Sequence, residues 1–125
     1  MLFRSGRLIL SSTTGTFTVG ENLRVGATTY AHAGSAATQI TLLPNGRYET
    51  VVANFGGGDA NYRMYGCDGV NKAFEFDGTV FVPIATTMPN DTPKHVTVHK
   101  QHLFLSFGAS LQFSALGLQI GRAHV

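Results

Sequence analysis

The chain has 125 residues, among them 15 glycines, nine phenylalanines and four tyrosines, with only 13% charged residues and a net charge of +2. That composition describes a turn-rich β-protein of one ordinary domain or two small modules, and it excludes a helical bundle or a disordered tail. The cations Arg4, Arg7, Arg24, Arg47, Arg63, Lys72, Lys94 and Lys100 are scattered, so no direct nucleic-acid motif is present, and the single cysteine, Cys67, excludes an internal disulfide and a multi-cysteine zinc site.

Residues 1–10 hold an apolar run too short for a signal-peptide core or a membrane span, so the chain is expected to be soluble, without targeting and without membrane contact. Short Thr/Val/Leu-rich runs follow at 7–11, 16–19, Asn22–Val25, Thr28–His32 and 37–42, each of strand length. Gly15, Gly20, Gly26 and Gly34 separate them where tight turns need positive φ, which predicts a small antiparallel meander. Pro44-Asn45-Gly46 closes this module, residues 1–45, with strong turn chemistry.

Residues 47–55 alternate as a half-buried strand and run into Gly56-Gly57-Gly58-Asp59-Ala60-Asn61. Strands are predicted at Tyr62–Cys67, 72–76 and 79–84, with Asp68-Gly69 and Asp77-Gly78 as hairpin turns whose central residues take positive φ. After the loop 85–93 come 94–99, His102–Phe107 and Ser110–Ser114, joined at Lys100-Gln101 and Gly108-Ala109. The runs beginning at Thr50 and His95 are one propeller-blade repeat apart, taken as ~40–50 residues. The expected fold is therefore all-β and built of antiparallel hairpins, with the meander followed by one to two propeller-like blades over 46–118, an incomplete propeller. A small β-sandwich is the alternative.

The end of the chain, Ile120-Gly121-Arg122-Ala123-His124-Val125, fits neither strand nor cap. It matches the translation of a sequencing adapter, ATC GGA AGA GCA CAC GTC, and Gln119 fits the junction. Residues 119–125 are therefore expected to be a non-native, adapter-derived tail on a fragment of metagenomic origin.

The candidate chemistry is sparse, and the reading assigns no catalytic, cofactor-binding or metal-ligating residue. His95, His99 and His102 form the densest cluster, but His95 and His99 on one strand stand about 13 Å apart at ~3.3 Å per residue, and no carboxylate is near in sequence. Cys67 has no base or oxyanion hole placed by a local motif and reads as a structural thiol. Glu49, Asp68, Glu75 and Asp77 would have to supply any glycosidase pair, yet both aspartates are already explained as turn residues. The triglycine lacks the Lys-Ser/Thr and helix of a phosphate cradle and reads as a flexible connection, and Asn90-Asp91-Thr92 is a formal glycosylation sequon in a polar loop. Tyr30, Tyr48, Tyr62 and Tyr65 are the candidates for a sugar-stacking platform.

The run Tyr65-Gly66-Cys67-Asp68-Gly69-Val70-Asn71-Lys72-Ala73-Phe74-Glu75-Phe76-Asp77-Gly78 resembles virion structural proteins of tailed bacteriophages, including head-completion and packaged-DNA stabilisation proteins. The likeness continues through Thr92-Pro93-Lys94-His95-Val96, residues 99–108 and Leu111-Gln112-Phe113-Ser114, and covers roughly 7–117. It implies a larger β-propeller-like protein carried in the virion and made in the bacterial host cytoplasm. No catalytic residues and no cofactor come with the resemblance. Its implied partners are other phage structural proteins, with homo-oligomers in the full-length form. A structural role without turnover is the first expectation from these observations. A glycan-binding module and a propeller hydrolase are the alternatives.

Overall fold

The computed structural model describes residues 2–4, 7–9, 14–33, 39–114 and 123–124. Every strand pairing is antiparallel, and the described residues contain no α-helix, so the fold is all-β as the composition requires. The chain divides into two compact units, one of residues 12–41 and the other of residues 1–11 with 42–125.

The described residues of the unit 12–41 hold one hairpin of β3 (Asn22–Val25) and β4 (Thr28–His32), turned at Gly26 with φ 60° and irregular in register between Leu23 and Arg24. The pairing is extended by Gly20 N–H to the Ala33 carbonyl at 2.7 Å and Ala33 N–H to the Glu21 carbonyl at 2.8 Å. The expected strand at 16–19 is not one: Glu21 folds this segment back, its carboxylate accepting from Thr18 N–H at 3.0 Å. Residues 39–42 form no strand either, while residues 37–38 and the turn at Gly34 lie outside the described residues. Among the described residues of the predicted meander, Asn22–Val25 and Thr28–His32 pair as a ribbon, and Arg7–Ile9 is a strand paired with Leu2–Arg4. No residue of this unit whose side chain is described is buried, so its β-propensity finds little described surface on which to recruit further strands.

The other unit contains β1 (Leu2–Arg4) paired with β2 (Arg7–Ile9) and two four-stranded sheets. The first sheet is a meander of β5 (Glu49–Asn54), β6 (Tyr62–Cys67), β7 (Phe74–Phe76) and β8 (Phe81–Pro83). A short 3-10 turn, Asp59–Asn61, leads into β6. The second sheet runs β9 (His95–His99), β10 (His102–Phe107), β11 (Ser110–Ser114) and β12 (Ala123–His124). The short β12 pairs with Phe113 and Ser114 and falls inside the segment set apart as adapter-derived; the rest of that segment lies outside the described residues.

Where strands alternate cleanly, the sequence boundaries hold: Tyr62–Cys67, His102–Phe107 and Ser110–Ser114 are strands end to end. The expected strands 72–76 and 79–84 shorten to Phe74–Phe76 and Phe81–Pro83, because the connections around them are wider than two-residue turns.

The two sheets meet face to face, with β5 and β6 against β9. Ala53, Phe55, Tyr65, Cys67, Ala73, Ile84, Leu103 and Leu105 form the core between them, flanked by Val51, Val96, Val98 and Phe107. Burying a large apolar side chain contributes about 1.5–3 kcal/mol, so these contacts, which neither sheet has alone, hold the unit together. Two meanders packed through one face are an arrangement shared by a small sandwich and by consecutive blades.

Candidate functional site

The chemistry-bearing residues of the sequence are mostly engaged in holding the fold. Asp68 Oδ1 accepts from the N–H groups of Val70 at 2.9 Å and Asn71 at 2.7 Å, and its Oδ2 accepts from Asn71 Nδ2 at 2.6 Å. Burial pushes this carboxyl up, but the hydrogen bonds from Asn71 and Val70 outweigh it and hold Asp68 below the usual carboxylate range. Asn71 also clamps Leu43, whose N–H donates to Oδ1 at 2.7 Å and whose carbonyl accepts from Nδ2 at 2.9 Å. Gly46 passes so close that a Cβ there would overlap the Asp68 carboxyl.

Asp77 repeats the device, accepting from Thr79 N–H and Val80 N–H, both at 2.8 Å. The N–H groups of Val80 and Thr79, helped by the charge of Arg63, hold its carboxyl low. The expectation of two-residue turns is corrected here. Gly69 and Gly78 have φ of 77° and 100°, but the aspartates before them do not enter positive φ and instead fold the backbone over their own carboxylates.

Glu49, Glu75 and Asp91 are also committed. Glu49 Oε1 and Oε2 each lie 3.0 Å from His95 Nδ1, linking β5 to β9 across the two sheets. Glu75 is 2% exposed on β7, with Arg63 Nε 3.8 Å from its Oε1. Asp91 closes the loop before β9 by accepting from Thr86 N–H at 3.0 Å and Thr86 Oγ1 at 2.5 Å.

The three histidines are not brought together. His95 turns to Glu49, while His102 turns toward β11, its Nδ1–H donating to the Ser114 carbonyl at 2.6 Å and its ring edge-on to Phe113 at 5.7 Å. His99 is the direct cross-strand partner of His102, on the same face of the second sheet. No group of three or more His, Cys, Asp or Glu side chains able to hold a metal ion occurs among the described residues.

Cys67 is fully buried, and burial, followed by the charges of Glu49 and Asp68, pushes its thiol up to about 11. The protonated thiol is thus the resident form at neutral pH. The triglycine loop is tied down rather than free: Asn54 Nδ2 donates to the Gly58 carbonyl at 2.6 Å, and Asn61 Nδ2 donates to the Gly57 carbonyl. Asn90 is exposed.

The four tyrosines do not form one platform. Tyr65 is in the core, whereas Tyr48 and Tyr62 are 53% and 55% exposed on the opposite face of the first sheet; the Tyr30 side chain lies outside the described residues.

That opposite face is the feature the sequence did not single out. Strand alternation places Tyr48, Thr50, Val52 and Asn54 on it from the β5 segment, with Tyr62, Met64 and Gly66 beside them from β6. Phe74 and Phe76 from β7, then Phe81 and Pro83 from β8, complete it. None of these positions is charged. Phe74 and Phe81 stack at 4.7 Å, Tyr48 meets Phe74 edge-on at 6.2 Å, and the Phe74 ring lies over Gly66 so closely that a Cβ would overlap it. Val52 is 64% exposed at the centre of β5.

The face turned toward the second sheet carries the charged residues among its core side chains: Arg63 and Glu75 lie on the same side as Tyr65. In the second sheet, Gln112 is 1% exposed with neither amide atom hydrogen-bonded. An antiparallel sheet with one solvated face normally shows polar residues outside, so the first sheet is patterned as an inner layer.

No family model, curated protein or solved structure matches the chain.

Proposed function

We propose that this protein is a structural, contact-making component of a tailed-bacteriophage particle, residing in the virion and acting without turnover. The observation that carries the contact role is the uncharged, aromatic outer face of the first sheet, with Tyr48, Val52 and Tyr62 open to solvent. Exposed apolar patches of this kind mark protein–protein surfaces, where aromatic anchors supply most of the binding energy. The phage assignment rests on the resemblance over residues 65–78 and 92–108. In this reading the two face-packed sheets are consecutive blades of a propeller-like body, and its partners are other phage structural proteins.

The test is composition of the particle. Gradient-purified virions of a phage encoding this chain should contain it in a fixed ratio to the capsid protein, and its absence from particles that are otherwise complete would reject the assignment.

A second reading, a glycan-binding module, is favoured by Tyr48 and Tyr62 standing exposed on one face, since tyrosine rings stack on sugar faces. A glycan array probed with the folded chain decides it: hits abolished by Tyr62→Ala support sugar binding, and a blank array removes it.

A further inference from the structure

We infer that Asn45 is a self-modification site: in the folded chain the backbone nitrogen of Gly46 displaces its side-chain amide, leaving aspartate and isoaspartate at position 45. The inference is independent of the virion role proposed above.

Three steps in the chain place Asn or Asp before glycine, Asn45-Gly46, Asp68-Gly69 and Asp77-Gly78, and the structure separates them. Glycine puts no Cβ in the way of ring closure, so all three are open on sequence grounds. At Asp68 the carboxylate is held by the N–H groups of Val70 and Asn71 and by Asn71 Nδ2, while Gly69 N–H donates to the Pro93 carbonyl at 2.8 Å. Both reacting atoms are thus tied down. At Asp77 the carboxylate is held by the N–H groups of Thr79 and Val80. Both carboxyls also titrate low, and an ionised carboxylate is a poor electrophile.

Asn45 differs on every count. Its side chain is exposed, its φ is 73°, and among the described residues no hydrogen bond engages its amide or the Gly46 N–H. The side-chain amide carries no charge, so its carbonyl carbon stays electrophilic. The fold also imposes the pair. A Cβ at position 46 would overlap the Asp68 carboxyl, and the left-handed backbone at position 45 favours Asn or Gly.

The chemistry is redox-neutral. Hydroxide takes the Gly46 N–H proton, the nitrogen bonds to Asn45 Cγ, and the Cγ–Nδ2 bond breaks as Nδ2 leaves as ammonia with a proton from water. Water then opens the cyclic imide. Cleavage at Cγ gives aspartate, and cleavage at the Asn45 backbone carbonyl gives isoaspartate, with the main chain running through Cβ. Either product lowers the net charge of +2 by one.

The experiment is timed incubation of the full chain at neutral and mildly alkaline pH. Conversion is located by ion exchange and peptide mass mapping, and isoaspartate by methylation with an isoaspartyl carboxyl methyltransferase and S-adenosylmethionine. In the folded chain Asn45 should convert at least about tenfold faster than the exposed Asn90, with a rate that rises with hydroxide and no isoaspartate at Asp68 or Asp77. In urea, which releases both aspartates, isoaspartate should appear at all three positions. Asn45→Gly, which keeps the left-handed backbone, should abolish methylation of the folded chain. Conversion of Asn45 no faster than that of Asn90 overturns the inference, as does methylation undiminished in Asn45→Gly or isoaspartate accumulating in the fold at Asp68 as fast as at position 45.

Discussion

In the first sheet the turns after β6 and β7 are each folded over an aspartate carboxylate, whereas in the second the turns after β9 and β10 are two-residue reversals made by the backbone. Asp68 and Asp77 each hold the N–H groups two and three residues on, which gives connections of six and four residues. Lys100 and Gln101 instead enter the left-handed region, with φ of 46° and 64°, although neither is the Gly or Asn that such a turn favours. Gly108, with φ 66°, occupies the first central position of the next reversal. A two-residue turn is thus made here by residues with weak turn propensity, and the strongest turn signals mark wider, side-chain-built connections.

Four measurements test this contrast. The largest effect is expected from Leu105→Ala, which opens the core shared by both sheets. It should cost about 2–5 kcal/mol in urea unfolding, with probes in both sheets lost in one transition. Separate transitions would mean that the sheets fold independently.

Next is Gly66→Ala, which forces the Phe74 ring off the first sheet. A loss of about 1–3 kcal/mol is expected, and unchanged stability would show that the ring moves away freely.

Asp68→Asn should cost about 2 kcal/mol at neutral pH, because one carboxylate oxygen facing Asn71 Nδ2 becomes a donor. The pH dependence carries a sign. Asp68 and Asp77 titrate below their ordinary value in the folded chain, so their contribution is complete above the unfolded value of about 3.9 and is lost as pH falls through the lower folded values. Acid titration monitored by circular dichroism should therefore give a flatter acid limb for Asp68→Asn than for the wild type. An equally steep limb would place the acid sensitivity elsewhere.

The smallest effect is a gain: Gln101→Gly relieves the left-handed strain at the β9–β10 turn and should stabilise by ~1 kcal/mol, read as a raised melting temperature. A lower melting temperature would show that the strain is relieved elsewhere.

The strands were legible wherever apolar and polar residues alternate without interruption, as in His102–Phe107, where Leu103 and Leu105 face the core. The side of the first sheet that becomes the core was not legible. In Phe74-Glu75-Phe76, alternation gives the period but not the direction, and the rule that apolar residues point inward would turn both phenylalanines toward the second sheet. The structure turns Glu75 inward beside Tyr65 and Arg63 and places both phenylalanines on the other face, where Phe74 is buried against Tyr48 and Phe81, because Tyr65 on β6 fixes the inner face and pairs directly with Glu75. Of the candidate surface the sequence singles out only Tyr48 and Tyr62, as members of a stacking platform, because only the register assigns the other residues to a side. The partners of the histidines were not legible for a different reason: proximity in sequence says nothing of Glu49, which pairs with His95, or of the Ser114 carbonyl, which accepts from His102.

Cys67 gives the molecule a built-in clock. Its thiol is sealed at the seam of the two sheets and held almost wholly protonated, with roughly a thousandth as thiolate at pH 8 for a value near 11. Alkylation in the intact fold is consequently slow on both counts, and the reaction proceeds mainly through moments when the sheets part and the thiol regains its ordinary acidity. The labelling rate then reports how often the seam opens, at one identified atom and without an added probe.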